Sequence, residues 1–159
     1  MAKRSGILTG TAGVYHVASR LAAQGFHAAV TFGNAPSVDI LVSQVEGAAN
    51  LSIQVKTSRW ALRTRGRGRQ KQPHHYEWDV GERTANLRHP DLFFAFVDLK
   101  SGKEELPDVF IVPSQRVYEA FDNRYFKSGE ARRWRWHPLI KEIEQFRNNW
   151  SLLRDHLNE

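Results

Sequence analysis

Pro36-Ser37-Val38-Asp39-Ile40-Leu41-Val42 and, after a short reversal, Leu51-Ser52-Ile53-Gln54-Val55-Lys56-Thr57 decide how this chain folds. Both runs are rich in β-branched and aliphatic residues, and Glu46-Gly47-Ala48-Ala49-Asn50 between them has turn composition, so the pair predicts a hairpin. Side chains i and i+2 of a strand share a face, so Gln54 and Lys56 point one way while Ile53 and Val55 point the other. The short connection sets Asp39 opposite the far end of its partner strand, within reach of Gln54 or Lys56. An acid, an amide and a lysine at one point are the minimal set for a metal-assisted cut of a phosphodiester. An acid in an apolar strand paired with a nearby lysine for structural reasons alone has the same spacing.

Around that hairpin the order is a helix, a strand ending near Phe32-Gly33, then Ser37-Val38-Asp39-Ile40, then Ile53-Gln54-Val55-Lys56-Thr57. This order resembles the PD-(D/E)XK nuclease superfamily, the fold of many restriction enzymes and Holliday-junction resolvases. The resemblance extends over about residues 9–113, including Leu92-Phe93-Phe94-Ala95-Phe96-Val97-Asp98 and Pro107-Asp108-Val109-Phe110-Ile111-Val112-Pro113. It implies an α/β fold, a mixed central sheet flanked by helices with a restriction-endonuclease-like αβββαβ core. It further implies Asp39, Gln54 and Lys56 as catalytic residues, and Mg²⁺ or Mn²⁺ held by Asp39, the Gln54 amide oxygen and the Val55 carbonyl. Lys56 would orient the attacking water and stabilise the developing charge. Two positions differ from the family pattern. Gln54 replaces the commoner glutamate, and Val14 in Thr11-Ala12-Gly13-Val14-Tyr15 stands where many relatives place a helix glutamate, a role for which Glu46 and Glu77 are the substitutes to test.

Charge is concentrated. Between Gly47 and Tyr76 there is no acid, while Lys56, Arg59, Arg63, Arg65, Arg67, Arg69 and Lys71 supply seven positive charges; subtracting these from the net +6 leaves −1 for the rest. Arg65-Gly66-Arg67-Gly68-Arg69 cannot build a core, and its glycines predict an exposed, mobile basic loop at about 59–75. Arg59, Arg63, Arg65, Arg67, Arg69 and Lys71 are therefore the candidate nucleic-acid contacts, with DNA the expected partner and RNA the weaker one. The functional expectation is a divalent-metal-dependent DNA endonuclease. Its rival is a nuclease-fold module that has lost catalysis and binds DNA or RNA without cleaving it.

At 159 residues and 41% hydrophobic content the sequence predicts one domain over 1–159. No apolar run approaches the ~20 residues that span a bilayer, and Met1-Ala2-Lys3-Arg4-Ser5 is not followed by a signal-peptide core, which points to the cytoplasm. With no cysteine, thiolate metal sites are excluded. Thr9 or Thr11 is positioned to cap a helix running to about Gln24, with Gly25 as its stop. Phe26 to Phe32, Leu92 to Leu99 and Val109 to Val112 read as strands, the last two joined through Lys100-Ser101-Gly102-Lys103. Ser114 is placed to cap a helix to about Phe121. Leu139, Ile143, Phe146, Trp150, Leu153 and Leu157 alternate at steps of four and three, predicting an amphipathic helix at about 138–157 that packs on the sheet or forms a homodimer seam. Adjacent His74 and His75 should face opposite sides of a strand and so not share a metal. Arg132-Arg133-Trp134-Arg135-Trp136 suits backbone contact and base stacking, and equally two packed tryptophans beneath exposed arginines.

Overall fold

The computed structural model describes residues 6–32, 37–101, 105–122 and 134–159. Helix α1 (Gly6–Ala23) precedes β1 (Phe26–Val30), β2 (Ile40–Gln44) and β3 (Asn50–Ser58). These are followed by β4 (Leu62–Arg65), β5 (Gln72–Tyr76), β6 (Trp78–Asp79) and the one-turn α2 (Glu82–Ala85). Strands β7 (Leu92–Asp98) and β8 (Asp108–Pro113), helix α3 (Ser114–Asp122), β9 (Arg135–Trp136), α4 (Ile140–Ile143) and α5 (Ser151–Leu157) complete the chain.

One five-stranded sheet runs β1-β2-β3-β7-β8, with β3 and β7 parallel and every other pair antiparallel. The predicted α/β architecture, a mixed sheet flanked by helices, is the one observed. A parallel pair cannot be closed by a tight turn and needs a long crossover. Residues 59–91 make it here, and they contain a hairpin (β4–β5), a short strand and a single helical turn instead of a long crossover helix. The β6 strand pairs with β9 outside the main sheet.

Because β7 lies inside the sheet with both faces covered, every one of its residues is buried. Phe93, Ala95 and Val97 join Val109, Ile111, Val17 and Leu21 in a first core layer; Phe94 and Phe96 join Phe110, Val112, Trp78 and Trp136 in a second. Helix α1 covers the first layer through Gly13, Val17 and Leu21, spaced four apart on one face. Its contact with β3 is so close that a Cβ at Gly13 would fall 1.8 Å from Thr57 Oγ1. The helix starts upstream of both predicted caps, leaving Thr9 and Thr11 inside it, and stops at Gly25, whose φ of 87° is left-handed.

Two further expectations are corrected. Ser114 lies within α3, and its hydroxyl accepts from His89 N (3.0 Å) and donates to His89 O (2.8 Å), tying α3 to the crossover. The 138–157 stripe is not one helix. It breaks into α4, a 3₁₀ turn (Glu144–Phe146) and α5, with Asn148 at φ 48° and its N–H bonded to Val109 O. Ile143 and Phe146 enter the second core layer, whereas Trp150, Leu153 and Leu157 enter the first. The segment thus passes around the β8 edge from one face of the sheet to the other, which a straight helix cannot do. Ile143, Phe146, Trp150, Leu153 and Leu157 of the stripe are thus core, while Leu139 is only partly buried. Of the Lys100–Lys103 turn, Gly102 and Lys103 lie outside the described residues. No helix among the described residues is long and apolar enough to cross a membrane.

Candidate active site

Asp39 sits at the mouth of the β2–β3 hairpin. Its N–H donates to Ile53 O (2.9 Å) and its carbonyl accepts from Thr31 N (2.9 Å), so the backbone is held from both neighbouring strands although β2 proper begins at Ile40. Thr31 also donates its hydroxyl to Val38 O at 2.7 Å. Beyond the pairing of Ile40 with Ile53, β3 loses its β2 partner, and the Asp39 side chain takes its place. Oδ2 accepts Val55 N at 2.7 Å and Gln54 Nε2 at 2.5 Å. In a strand the N–H and C=O of one residue project to the same side, so the Val55 carbonyl leaves from the edge that faces Asp39.

Lys56 lies two residues beyond Gln54 on the same face, as predicted. Its ammonium reaches Thr84 Oγ1 of α2 at 3.4 Å. Burial holds it below the ordinary lysine range, with Asp39 and Asp79 opposing more weakly. Burial likewise pushes the Asp39 carboxyl above the usual carboxylate range, outweighing the Val55 N–H, the Lys56 charge and the Gln54 amide. Two groups of opposite charge thus share a half-buried pocket that solvates neither well. An under-solvated carboxylate beside an amide and a free-edge carbonyl is a hard-oxygen donor set suited to Mg²⁺ or Mn²⁺, which keep several waters. The Gln54 amide nitrogen faces Asp39, so its oxygen must turn inward to serve as a ligand.

The acids proposed to replace the helix glutamate do not reach this point. Glu46 lies at the opposite end of the hairpin, roughly 20 Å away at the usual strand rise. Glu77 is engaged elsewhere, bonded to Arg135 Nη1 (2.8 Å) and Arg63 Nε (3.4 Å), with His137 Nε2 at 3.8 Å. Val14 packs against the first core layer, across the sheet from Gln54 and Lys56, where a carboxylate would be buried among apolar groups. The second acid that acts on Lys56, after Asp39, is Asp79, itself bonded to Arg135 Nε at 2.7 Å. Asp79 and Thr84 were missed because the crossover brings them in. The one available signal was the i, i+2 relation of Asp79 to Glu77.

The basic segment is structured, contrary to the mobile loop expected. β4 pairs with β5 through Leu62–Tyr76, Arg63–His75, Thr64–Pro73 and Arg65–Gln72, and a 3₁₀ turn (Gly68–Gln70) closes the tip. At the root, Arg59 Nε bonds Ser101 Oγ (3.1 Å), and Arg63 is tied to Glu77 and to Trp60 O (2.7 Å). Arg65, Arg67, Arg69 and Lys71 stand exposed, with no ion pair among the described residues. The register shift opposite Arg63 and Thr64 leaves His74 as the extra residue of a β-bulge. A bulge re-aims its side chain, and the His74 and His75 Nδ1 atoms meet at 3.0 Å instead of facing apart. Among the described residues no group of three histidines or acids is placed to hold a metal. Arg132 and Arg133 lie outside the described residues; Trp134 packs on Phe121 and Trp136 is buried in the second core layer.

No protein-family model matches the chain, and no curated protein matches it in sequence. Among solved structures it is similar to a bacterial homing endonuclease, I-Ssp6803I, with a TM-score of 0.58 and 15% identity, covering 97% of this chain and 95% of that one. The likeness shows a nuclease-like fold.

Proposed function

We propose that this protein is a metal-dependent endonuclease acting on DNA, with Asp39, Gln54 and Lys56 as its catalytic residues. The observation that carries the proposal is the meeting of Asp39, Gln54 and Val55 at one frayed hairpin edge, with the Lys56 ammonium on the same face. A nuclease-like fold supports it, and so does an exposed basic hairpin leading directly out of the strand that carries Lys56. The Asp39 carboxylate, the Gln54 amide oxygen and the Val55 carbonyl would hold Mg²⁺ or Mn²⁺. A bound divalent ion supplies a Lewis acid to the phosphoryl group and a bound water of lowered pKa. Lys56, positively charged and poorly solvated, stabilises the negative charge that gathers on the phosphate during attack. Thr84 limits where that ammonium can go. The exposed hairpin cations neutralise neighbouring phosphates and hold the duplex against the site.

With a single carboxylate at the proposed metal site, ion affinity without DNA would be weak, and a substrate phosphate would strengthen it. The same feature favours the rival reading of a DNA-binding module without catalysis. Incubating the purified protein with linear, supercoiled and branched DNA in Mg²⁺ and Mn²⁺ decides between them. Nicking or cutting is expected, and Asp39→Ala and Lys56→Ala each abolish it while circular dichroism stays native. DNA bound but intact in both metals makes the protein a binding module.

A further inference from the structure

We infer that the β4–β5 hairpin is a major-groove reader, a two-stranded ribbon whose tip enters B-form duplex DNA. The inference rests on the DNA-binding half of the proposed function and is independent of cleavage.

The ribbon is built to keep its shape. Gly66 adopts φ 114°, and a Cβ there would lie 2.4 Å from Gln70 O, so the tip folds back on itself at a spacing only glycine allows. Gly68 at φ 54° makes the second left-handed step, and Gln70 N closes on Arg67 O at 3.0 Å. These glycines shape a turn; they do not loosen a loop. The root is equally fixed. The Asp98 carboxylate, buried beneath it, accepts Ala61 N (3.0 Å) and Leu62 N (3.3 Å), while Tyr76 N bonds Pro138 O and Glu77 N bonds Ala61 O, both at 3.0 Å.

Size and chemistry then select the ligand. Two paired strands about 4.8 Å apart, with their side chains, make a blade about 10 Å across, which fits a major groove about 12 Å wide and not a minor groove about 6 Å wide. The deep, narrow major groove of A-form RNA excludes such a blade. A single strand is usually gripped by stacking bases on aromatic rings, and Ala61 to Gln72 contains none. The tip sequence Arg65-Gly66-Arg67-Gly68-Arg69-Gln70-Lys71-Gln72 offers arginine and glutamine, the side chains that make paired hydrogen bonds to guanine and adenine edges. Every one of those arginines and glutamines is exposed.

The test measures binding of the full chain by fluorescence anisotropy in EDTA, where no cleavage occurs. The probes are a mixed-sequence DNA duplex, the same duplex with glucosylated hydroxymethylcytosine filling the major groove, the duplex saturated with a minor-groove ligand such as distamycin, duplex RNA, and single-stranded DNA. Glucosylation is expected to weaken binding about tenfold or more, distamycin to change it little, and the RNA duplex and single strand to bind less tightly than DNA duplex. The paired substitution Arg67→Ala with Gln70→Ala should remove most of the sensitivity to glucosylation. Glucosylated DNA bound as well as plain DNA overturns the inference, as does equal or tighter binding of duplex RNA or of the single strand, or no binding to any probe. Groove-insensitive binding strikes this inference alone, whereas intact DNA under Mg²⁺ and Mn²⁺ strikes only the cleavage proposal.

Discussion

Asp39 and Lys56 carry charges that their own surroundings disfavour, because burial raises the first pKa and lowers the second. Between the ordinary carboxylate pKa and the raised one, folded protein binds more protons at Asp39 than unfolded protein does, so stability falls as pH rises through that window and the loss persists at neutral pH. For Lys56 the folded state binds fewer protons between its lowered pKa and the ordinary lysine value, so stability rises with pH there. Asp39→Asn and Lys56→Met should therefore each unfold at a slightly higher temperature at pH 7, on the order of 2 °C in calorimetry. The Asp39→Asn gap should close below the ordinary carboxylate pKa, and the Lys56→Met gap above the ordinary lysine pKa. Lower melting temperatures at pH 7 would mean that the charges stabilise the fold. Gln54 poses a separate question, since a carboxylate in its place would add a full negative charge beside the ion, worth on the order of a few kcal/mol before desolvation. Gln54→Glu should bind Mg²⁺ or Mn²⁺ more tightly without DNA, and Asp39→Ala in that background should erase the gain; calorimetry showing equal affinities would place Gln54 outside the shell. The positions of Asp39, Gln54 and Lys56 were legible because period-two alternation and one turn fix them. Asp79 and Thr84 were not, since no local pattern says where residues 59–91 return.

At the level of elements, the hairpin and the C-terminal segment show two ways that local composition misleads. Alternating arginine and glycine reads as disorder because it has no apolar face, yet the run is held as a turn between Leu62–Arg65 and Gln72–Tyr76, which pair with each other and are anchored at Asp98. Steps of four and three from Leu139 to Leu157 read as one helix, but two short pieces on opposite faces of a sheet keep the same phase. Structuring the basic segment changes what its charges can do, because arginines on a fixed ribbon meet phosphates or bases as a set. Replacing Arg65, Arg67 and Arg69 together with alanine should reduce the log-log salt slope of DNA binding by about 0.9 for each of the three that neutralises a phosphate, while one that reads a base edge lowers affinity with little change of slope. Unchanged slope and unchanged affinity in a salt titration would make the ribbon a bystander.

Across the whole molecule, Arg147 joins pieces distant in sequence. Its guanidinium pairs with Asp108 of β8, donates to the Tyr76 hydroxyl at the ribbon root (2.7 Å), and bonds Glu144 beside α4 through Nε (2.8 Å) and Nη2 (2.9 Å). Those partners hold its pKa above the ordinary arginine value. Arg147→Met should cost about 2 kcal/mol in urea unfolding, less than a fully uncompensated buried charge, because Lys100 Nζ still lies 3.1 Å from Asp108. A cost under about 0.5 kcal/mol, the usual scale of an exposed pair, would show the clamp to be ornamental. The mixed sheet was legible as a whole, since buried runs such as Leu92–Asp98 announce interior strands, while the route between β3 and β7 was not. The passage of residues 147–148 around β8 also has a consequence for how copies of this protein meet. Asn148 N bonds Val109 O and Arg147 bridges to Phe110, so the chain's own backbone occupies places on the outer rim of β8 that a foreign strand would take. At the other rim, β1 presents His27 and Ala29 with no strand beyond it among the described residues. An exposed sheet margin is a template for self-association, and this protein has masked one of its two, so strand-by-strand stacking cannot propagate in both directions and any growth through the sheet ends at a pair.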